Sequence, residues 1–313
     1  MKNNRIEICY PSYSKKAITF TIDDGNIPYD TKLLGILKPA GIKGTFNLNS
    51  NLTTLYSPEF YRAFYKGYEI ANHCKYHPYV LYDGVEYKLK NEVFSEESAD
   101  PDFMYPADEK EGFFWVIKPN GWRQAITESD FIKYIDDGKS ELNAIFGEGS
   151  VRDFVWPYCE QDNAAVKAHI KTTHCSSRKT GCTLANTGFD IPDDKYAWSY
   201  NANHMNLLEV AEEYDGYPDD GRLKFFAFGV HSIDFERDSK WDDLAAFAEK
   251  YGNRPSDFWY ASVGEIFDYE AAVKMLVINN EGIYNPSSLP IYIKVNGKNR
   301  VVSPLGVVAL TDQ

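Results

Sequence analysis

The fold class is decided by a stretch that reads Ala17-Ile18-Thr19-Phe20-Thr21-Ile22 and continues directly as Asp23-Asp24-Gly25. The first six residues are β-branched, aromatic or small, and they contain no charged side chain, as is typical of a strand that is covered on two sides. Two carboxylates follow at the carboxyl end of this strand. Because the chain turns at the glycine, both side chains can lean into one pocket above the sheet.

Working outward, similar β-rich runs recur along the chain and give seven predicted strands: 17–22, 43–48, 68–72, 151–157, 171–177, 223–230 and 257–262. Helical spacing of apolar residues predicts helices between them at 31–38, 127–146, 239–251 and 264–276. Strand-then-helix alternation indicates an α/β protein with parallel strands, arranged either as an open sheet or as a barrel. Near the end of the chain, Asn296-Gly297 within 290–303 predicts a β-hairpin.

Composition excludes several classes of function. The 313 residues include 33 Lys and Arg against 46 Asp and Glu, a net charge of −13 that argues against nucleic acid or an anionic membrane as a partner. No apolar run is long enough to span a membrane and no secretory signal is visible. We therefore expect a cytoplasmic protein by default, or an extracellular one if a signal was removed. The five cysteines are expected to be thiols.

Chemistry is expected where strands end. His73 and His77 follow the run 68–72 and, four residues apart on a helical turn, would project from one side about 6 Å apart along the axis. The pair could hold one metal ion or belong to an ordinary polar turn. Two buried carboxylates at 23 and 24 are costly unless something positive compensates them. Two histidines and one aspartate make an open three-ligand site suited to Zn, Fe or another first-row divalent ion.

Such an ion lowers the pKa of a bound water and polarises a carbonyl group. The second aspartate would then be placed to accept the proton of the water as a general base. His231 ends the apolar run 223–230, where it could protonate a leaving group or have a purely structural role.

Five ordered elements resemble the polysaccharide deacetylase family with its NodB homology domain: Phe20-Thr-Ile-Asp23-Asp24-Gly25, Gly44-Thr-Phe46, His73-x-x-x-His77-Pro78, Trp156-Pro157-Tyr158 and Val230-His231. The resemblance covers roughly residues 15–280 and implies a distorted (β/α) barrel of about seven parallel strands. Residues 1–280 would form the deacetylase-like domain, with an insertion at 82–122. Residues 281–313 would form a small C-terminal β extension.

The resemblance also implies roles for individual residues. Asp23 resembles the general base of the family and Asp24 a metal ligand, whereas His73 and His77 match the ligand histidines. His231 matches the catalytic acid. The backbone N–H of Tyr158 would bind the oxyanion, a contribution that is usually large. The implied cofactor is a divalent ion, Zn²⁺ first, with Co²⁺, Ni²⁺ or Fe²⁺ as alternatives.

The chain also departs from the pattern of the family at three positions. Val155 stands where many members have an arginine that orients the base, Cys159 where glycine is usual, and Cys74 where serine or threonine is usual. We hypothesise that Arg178, at the end of the fifth strand, replaces the missing arginine on Asp23.

The Asp-x-x-Asp-Trp element of the family is not recognisable. The candidates to support His231 are Asp190, Asp193 and Asp194, near Trp198. Among the other histidines, His169 and His174 are expected to be structural, while His204 lies in a loop that could reach the pocket.

The sequence thus predicts a metal-dependent hydrolase that removes an acyl group, most readily N-acetyl, from a carbohydrate by attack of metal-bound water. Alternatives on the same scaffold are an O-acetyl esterase, an amide hydrolase acting on another acylated small molecule, and a non-catalytic sugar-binding relative. A non-haem iron oxygenase is disfavoured because Asp24 precedes His73 by 49 residues, whereas in such sites the acid commonly lies two residues after the first histidine. The sequence predicts no oligomeric state.

Overall fold

A computed structural model of the protein describes residues 4–77, 79–80, 114–117, 123–158, 163–179 and 188–310, with the backbone alone for 79–80, 114–117 and 123–126. Apart from residues 114–117, the insertion predicted at 82–122 lies outside the described residues, and so do Cys159 and Cys182.

The main sheet contains seven strands, and all of its strand pairs are parallel. They are β2 (Lys16–Asp24), β3 (Gly44–Leu48), β4 (Glu69–Asn72), β8 (Asp153–Val155), β9 (Ser176–Arg178), β10 (Lys224–His231) and β11 (Phe258–Tyr260). Their order is β10-β2-β3-β4-β8-β9, and β11 pairs with the first residues of β2. The prediction of seven parallel strands is confirmed.

The fifth predicted strand, 171–177, was wrong at its start. Its first residues belong to a helix, Ala164–Thr173, and only Ser176–Arg178 form the strand. Val166 and Ile170 of the helix are buried, so the buried face of this helix continues to its last turn before the chain becomes extended.

An extended segment closes the sheet into a distorted barrel. Trp198 bridges Arg178 of β9, and Ala202 bridges Phe228 of β10, in parallel orientation on both sides. Backbone hydrogen bonds support this closure, including one of 2.9 Å from the Lys179 N–H to the Trp198 carbonyl oxygen. The segment 198–202 therefore occupies the gap between the two edge strands β9 and β10.

Register places polar groups side by side at the carboxyl end of the barrel. Asp23 of β2 lies opposite His231 of β10 on one side and Asn47 of β3 on the other. The carboxyl ends of parallel strands are the usual location of sites in such folds, because the loops that follow them converge there.

Helices cover the outside of the sheet: α1 (Ile27–Leu37), α2 (Pro58–Phe64), α3 (Glu128–Phe146), α4 (Ala164–Thr173), α5 (Leu207–Gly216), α6 (Ser232–Arg237), α7 (Trp241–Tyr251) and α8 (Val263–Lys274). Helix α3 starts where the sequence predicts it, because Thr127 and Asp130 form the reciprocal capping box. Aromatic rings make up much of the core between α7 and the sheet. The ring centroids of Phe20 and Phe228 are 4.7 Å apart, and those of Phe20 and Phe247 are 5.5 Å apart.

Three smaller antiparallel sheets flank the barrel. The predicted hairpin is present as β14 (Ile291–Val295) and β15 (Lys298–Val302), and β1 (Ile6–Cys9) pairs with its first strand. The other two sheets consist of β12 (Val277–Ile278), β13 (Gly282–Tyr284) and β16 (Val307–Ala309), and of β5 (Tyr79–Val80), β6 (Phe114–Ile117) and β7 (Arg123–Ile126). Within the described ranges, no helix is long and apolar enough to cross a membrane.

A buried carboxyl group in α1 makes stability depend on pH. Asp30 has no exposed surface, and only its Oδ2 atom accepts a hydrogen bond, of 2.7 Å, from the Tyr65 hydroxyl. Burial raises the pKa of Asp30 to about 7. The folded protein therefore holds this proton more tightly than the unfolded chain does, so this stabilisation is complete below pH 4 and is lost as the pH rises through 7.

We expect Asp30→Asn to remove this dependence, because the amide does not titrate and its oxygen still accepts the Tyr65 hydrogen bond. The variant should match the wild type near pH 4 and exceed it at pH 8 by a few kcal/mol, on the order of 1.4 kcal/mol per pKa unit. Urea unfolding at both pH values, with a chelator present, measures the difference in free energy of unfolding between the two proteins. Contributions from the other titrating groups cancel in this difference. Equal pH dependence in the two proteins would contradict the assignment.

Candidate active site

Three side chains converge at the carboxyl end of the barrel: Asp24 is the last residue of β2, and His73 and His77 lie in the turn after β4. The Oδ1 atom of Asp24 lies 3.5 Å from Nε2 of His73 and 3.6 Å from Nε2 of His77. The two Nε2 atoms are 3.1 Å apart. Among the described residues, these three form the one group of His, Cys, Asp or Glu side chains close enough to hold a metal ion.

The histidine tautomer suits a metal. Nδ1 of His73 lies 2.9 Å from the carbonyl oxygen of Val155. Because a carbonyl can only accept, Nδ1 carries the proton and Nε2 presents its lone pair to Asp24. The Oδ1 atom of Asp24 is buried without a hydrogen-bond donor. Burial of His77, next to His73, lowers its pKa to about 4, so this ring is neutral at physiological pH. This donor set fits a divalent cation.

The backbone around the triad is unusual. Asp24, Cys74, His77 and Tyr158 all have left-handed φ angles, of 75°, 67°, 52° and 57°. Such conformations cost on the order of 1–3 kcal/mol each in non-glycine residues and cluster at functional sites. Here they turn the chain sharply just after β2, β4 and β8, so that the side chains face the common centre.

Asp23 is held from two sides. Nη2 of Arg178 donates to both carboxylate oxygens of Asp23, at 2.6 and 2.5 Å, and Nδ2 of Asn47 donates to Oδ1 at 2.7 Å. Burial alone would raise the pKa of the Asp23 carboxyl, but the Arg178 guanidinium, through its charge and its hydrogen bonds, and the nearby His231 outweigh burial and hold the pKa below its usual range. Asp23 is therefore an ionised carboxylate in a buried setting.

Arg178 is fully buried, and its position is supported by an aromatic ring. Its guanidinium carbon lies 5.4 Å from the centre of the Tyr200 ring. Tyr200 can lie this close to β10 because position 229 is glycine, where a Cβ would come within 1.9 Å of the ring. The structure thus brings Arg178 to Asp23, as hypothesised from the sequence.

We expect Arg178→Met to lower the free energy of unfolding by about 3–5 kcal/mol, since it leaves the Asp23 carboxylate buried without its cation. It should also lower kcat/KM. Adding Asp23→Asn to the variant should recover most of the lost stability, because the uncompensated charge is then gone. Urea unfolding of the two single variants and the double variant measures the coupling. If the losses in free energy of unfolding were strictly additive, the two residues would not be energetically coupled.

The sequence reasoning missed Asn47. It has no exposed surface, and its Nδ2 contacts both Asp23 and the Thr21 hydroxyl, each at 2.7 Å. An available signal was the amide side chain between the apolar Phe46 and Leu48 of the predicted strand 43–48. A buried polar side chain of this kind needs partners.

His231, the last residue of β10, is oriented by a residue of helix α6, which follows it directly. Its Nδ1 lies 3.0 Å from Oδ2 of Asp234, which in turn is held by Arg237 at 2.7 Å. Its Nε2 faces the triad, 3.8 Å from Asp24. Burial would lower the pKa of His231, but the hydrogen bond to Asp234 and the nearby carboxylates raise it to about 9. At neutral pH the ring therefore carries a proton that it can donate.

The expectation that Asp190, Asp193 or Asp194 supports His231 was wrong, because Asp234 holds this position. Asp190 pairs instead with the buried Lys224, at 2.6 Å, and Asp194 accepts from the Tyr196 N–H at 2.8 Å. The missed signal was local: His231-Ser-Ile-Asp234 has the i, i+3 spacing of a helix start, where an acid turns back to the first residue.

The remaining predicted residues divide between the site and the scaffold. Tyr158 lies beside His77, with ring centroids 4.4 Å apart, and the role predicted for its backbone N–H stays a prediction. His204 reaches the pocket wall, where its Nε2 is 2.7 Å from Asp238. His174 contacts Asn72, and His169 pairs with Asp136 at the surface.

A glycine in α3 makes room for the turn that carries the two histidines. A Cβ at Gly138 would lie 2.7 Å from Oδ1 of Asn72 and 3.1 Å from the carbonyl carbon of Cys74. Asn72 itself binds the turn, because its Oδ1 accepts from the Cys74 N–H at 3.0 Å. The close approach of α3 therefore requires glycine here.

We expect Gly138→Ala to destabilise the fold by about 1–3 kcal/mol through overpacking and to weaken metal binding by displacing His73 and His77. Gly35→Ala is the matched control, because Gly35 is an exposed glycine of α1 with no atom within 4 Å of a new Cβ. The control should gain up to about 1 kcal/mol from helix propensity. Thermal unfolding and zinc titration measure both effects, and a stabilised Gly138→Ala variant would contradict the packing argument.

Comparisons with known proteins give the following matches. Residues 11–174 match the family model described as polysaccharide deacetylase. Among solved structures, one similar structure is the Xyl-CE4 domain of a multidomain xylanase from the hindgut metagenome of Trinervitermes trinervoides. It is 15% identical, with a TM-score of 0.46, and the match covers 83% of this chain and 92% of that chain.

Peptidoglycan deacetylase PdaC from Bacillus subtilis is 13% identical, with a TM-score of 0.46, and the match covers 85% of this chain and 96% of that chain. A family 4 acetyl xylan esterase from Clostridium thermocellum, in complex with a cobalt ion, is 13% identical, with a TM-score of 0.44. The match covers 82% of this chain and 92% of that chain. No curated protein matches the chain.

Proposed function

The chain belongs to the polysaccharide deacetylase family, and on that premise we propose that it is a metal-dependent hydrolase that removes an acyl group, first of all N-acetyl, from a carbohydrate. The observation that carries the proposal is the cluster of Asp24, His73 and His77 directly beside an ionised carboxylate and a protonated imidazole. Hydrolysis of an amide needs a base for the water and an acid for the departing amine.

Asp24, His73 and His77 would hold the cation, and Zn²⁺ is the first candidate because nitrogen and oxygen donors with open positions suit it. When bound, the ion supplies Lewis-acid polarisation of the substrate carbonyl and lowers the pKa of a water molecule. The fixed tautomer of His73 keeps its Nε2 lone pair available for this purpose, and the His77 ring is neutral, as a ligand must be.

Asp23 is proposed to take the proton of the attacking water. Its carboxylate is ionised and fixed by Arg178 and Asn47, so it needs little reorganisation before it accepts the proton. The oxygen of the water bonds to the carbonyl carbon and the carbonyl oxygen takes up negative charge; the C–N bond then breaks as the carbonyl double bond re-forms. His231 gives its Nε2 proton to the departing nitrogen, and Asp234 stabilises the ring in the required orientation.

Tyr158 is proposed to contribute its backbone N–H to the developing oxyanion. The proposal is supported by the contact of its ring with His77 and by its left-handed φ of 57°, three residues beyond the end of β8. A single well-placed donor of this kind is worth about 10²–10³ in rate.

The proposal is tested by acyl release from a panel of substrates after loading with Zn²⁺, Co²⁺, Ni²⁺ or Fe²⁺. We expect acetate and free amine from N-acetylglucosamine oligosaccharides, and we expect a chelator to stop the reaction and added metal to restore it. If acetate is released only from O-acetylated xylan, the bond that the protein cleaves is an ester and not an amide. If no carboxylic acid is released from any sugar amide or ester by the metal-loaded protein, the proposal is wrong.

A further inference from the structure

Two acidic side chains meet at the amino end of the barrel, opposite to the end that carries the triad. Glu69 is the first residue of β4, and Asp153 is the first residue of β8 and only 4% exposed. Helix α8 begins against them, because a Cβ at Gly264 would lie 2.1 Å from Oε1 of Glu69 and 3.0 Å from Oδ2 of Asp153. The two oxygens therefore border the same point of the α8 backbone, and this close approach requires glycine.

Donors from the surrounding elements occupy the other oxygen of each carboxyl group. Oε2 of Glu69 accepts from the Thr45 hydroxyl at 2.7 Å and from the Gly264 N–H at 3.0 Å, and Oδ1 of Asp153 accepts from the Ser176 hydroxyl at 2.6 Å. Oδ2 of Asp153 is buried without a hydrogen-bond donor. This oxygen and Oε1 of Glu69 are left for each other, and two carboxyl groups hydrogen-bond only when one of them carries a proton.

Among the residues that the structure describes, no cation forms an ion pair with either carboxyl group. Arg152, which precedes β8, donates to both oxygens of Asp268, at 2.7 and 2.8 Å. Lys43, which precedes β3, pairs with Glu265 of α8 at 3.0 Å, and Arg178 of β9 is bonded at the active site. A second negative charge on the two carboxyl groups would therefore be buried without a direct partner, which is costly.

The two groups consequently hold a proton more tightly than free carboxyl groups do. Burial raises the pKa of Glu69 and of Asp153, and the adjacent Asp153 raises the pKa of Glu69 further. The Tyr196 phenol lies near Asp153, but burial raises its pKa too, so it stays neutral. In the unfolded chain both carboxyl groups ionise near about pH 4. Above that pH the folded protein holds one proton more than the unfolded chain, so its stability falls as the pH rises until this proton is lost.

We propose that Glu69 and Asp153 form a proton-binding site that anchors helix α8 to the amino end of the barrel. The shared proton joins the two side chains, and Glu69 binds the first turn of α8 through the Gly264 N–H. Thr45 adds a second link, because its hydroxyl oxygen accepts from the Val263 N–H at 3.1 Å. Loss of the proton leaves two like charges in contact beside this turn. Alkaline pH is therefore expected to loosen the start of α8.

Amide variants test the site, because an amide imitates the protonated carboxyl group. In Glu69→Gln the oxygen can accept from Thr45 and Gly264 while the NH₂ group donates to Asp153, and Asp153→Asn makes the reverse arrangement. In urea unfolding with a chelator present, the folding equilibrium constant of the wild type should fall relative to either variant by about tenfold per pH unit between about pH 5 and about pH 7. The control Glu148→Gln makes the same change at an exposed position and should behave like the wild type.

The double variant Glu69→Gln/Asp153→Asn tests the contact itself. Its two NH₂ groups meet, or one amide turns over and sets its NH₂ group against a backbone or hydroxyl donor, so it should be less stable than both single variants at every pH. Hydrogen exchange of residues 262–266, corrected for the intrinsic rate, locates the effect. Protection there should fall at least tenfold from pH 6 to pH 8 in the wild type and stay within twofold in Glu69→Gln.

Three results would each overturn the proposal. The first is an equal pH dependence of stability in the wild type and the single variants, and the second is a double variant as stable as the single variants. The third is the same change in protection of residues 262–266 in the wild type and in Glu69→Gln. If one single variant does not fold, the other carries the same prediction, because either amide supplies the missing hydrogen.

Discussion

Replacing Asp24 with alanine is expected to weaken zinc binding by more than a hundredfold and to remove activity at ordinary metal concentrations. Asp24 supplies the one carboxylate of the triad, and even partners that only orient a ligand are typically worth 10–100-fold in metal affinity. Calorimetric zinc titration of the metal-free protein measures the loss directly, and acyl release measures its consequence.

Two further variants separate metal binding from folding. Asp24 has a φ of 75°, so Asp24→Gly removes the carboxylate and relieves the backbone strain that alanine would keep. It should fold at least as well as Asp24→Ala and bind zinc as poorly. Asp193→Ala removes an exposed aspartate outside the triad and should bind zinc normally. Unchanged zinc affinity in both Asp24 variants would rule this residue out as a ligand.

Asp23→Asn is expected to lower kcat by 10²–10⁴, the usual contribution of a general base, while zinc affinity changes little. The amide keeps the shape of the side chain and can still accept a hydrogen bond from Arg178, but it cannot take a proton. The variant thus separates proton transfer from metal binding, which the Asp24 variants do not. Measurement of kcat together with the bound zinc stoichiometry provides the check.

The matched control is Asp193→Asn, which makes the same chemical change at an exposed position and should retain wild-type turnover. Loss of zinc together with activity in Asp23→Asn would mean that Asp23 is a ligand rather than the base. Full activity in this variant would remove the residue from the mechanism.

The sequence predicted the features that depend on local pattern. The strand before Asp23 is rich in β-branched and aromatic residues and is buried on both faces. The position of the two acids follows from where that strand ends. The capping pair Thr127 and Asp130 places the start of α3 in the same way. In each case neighbouring residues suffice, because strand alternation and helix capping act over a few positions.

Features that depend on pairing between distant segments were harder to predict. Asn47 contacts Asp23 because β2 and β3 pair in one particular register, which neither strand specifies alone. The closure of the barrel by 198–202 involves two isolated bridges instead of a regular strand, so no alternation marked it. Asp234 lies only three residues after His231, at the start of a helix, whereas the family pattern points to aspartates before Trp198.

His231, Asp23 and Asn47 occupy one transverse row across β10, β2 and β3. Adjacent members of such a row are separated by the interstrand distance of about 4.8 Å, which backbone hydrogen bonding maintains whatever the length of the connecting loops. The cavity walls, by contrast, come largely from segments beyond the strand ends. Evolution, or an engineer, can therefore exchange the rim to accept a different molecule while the interval between Asp23 and His231 stays constant.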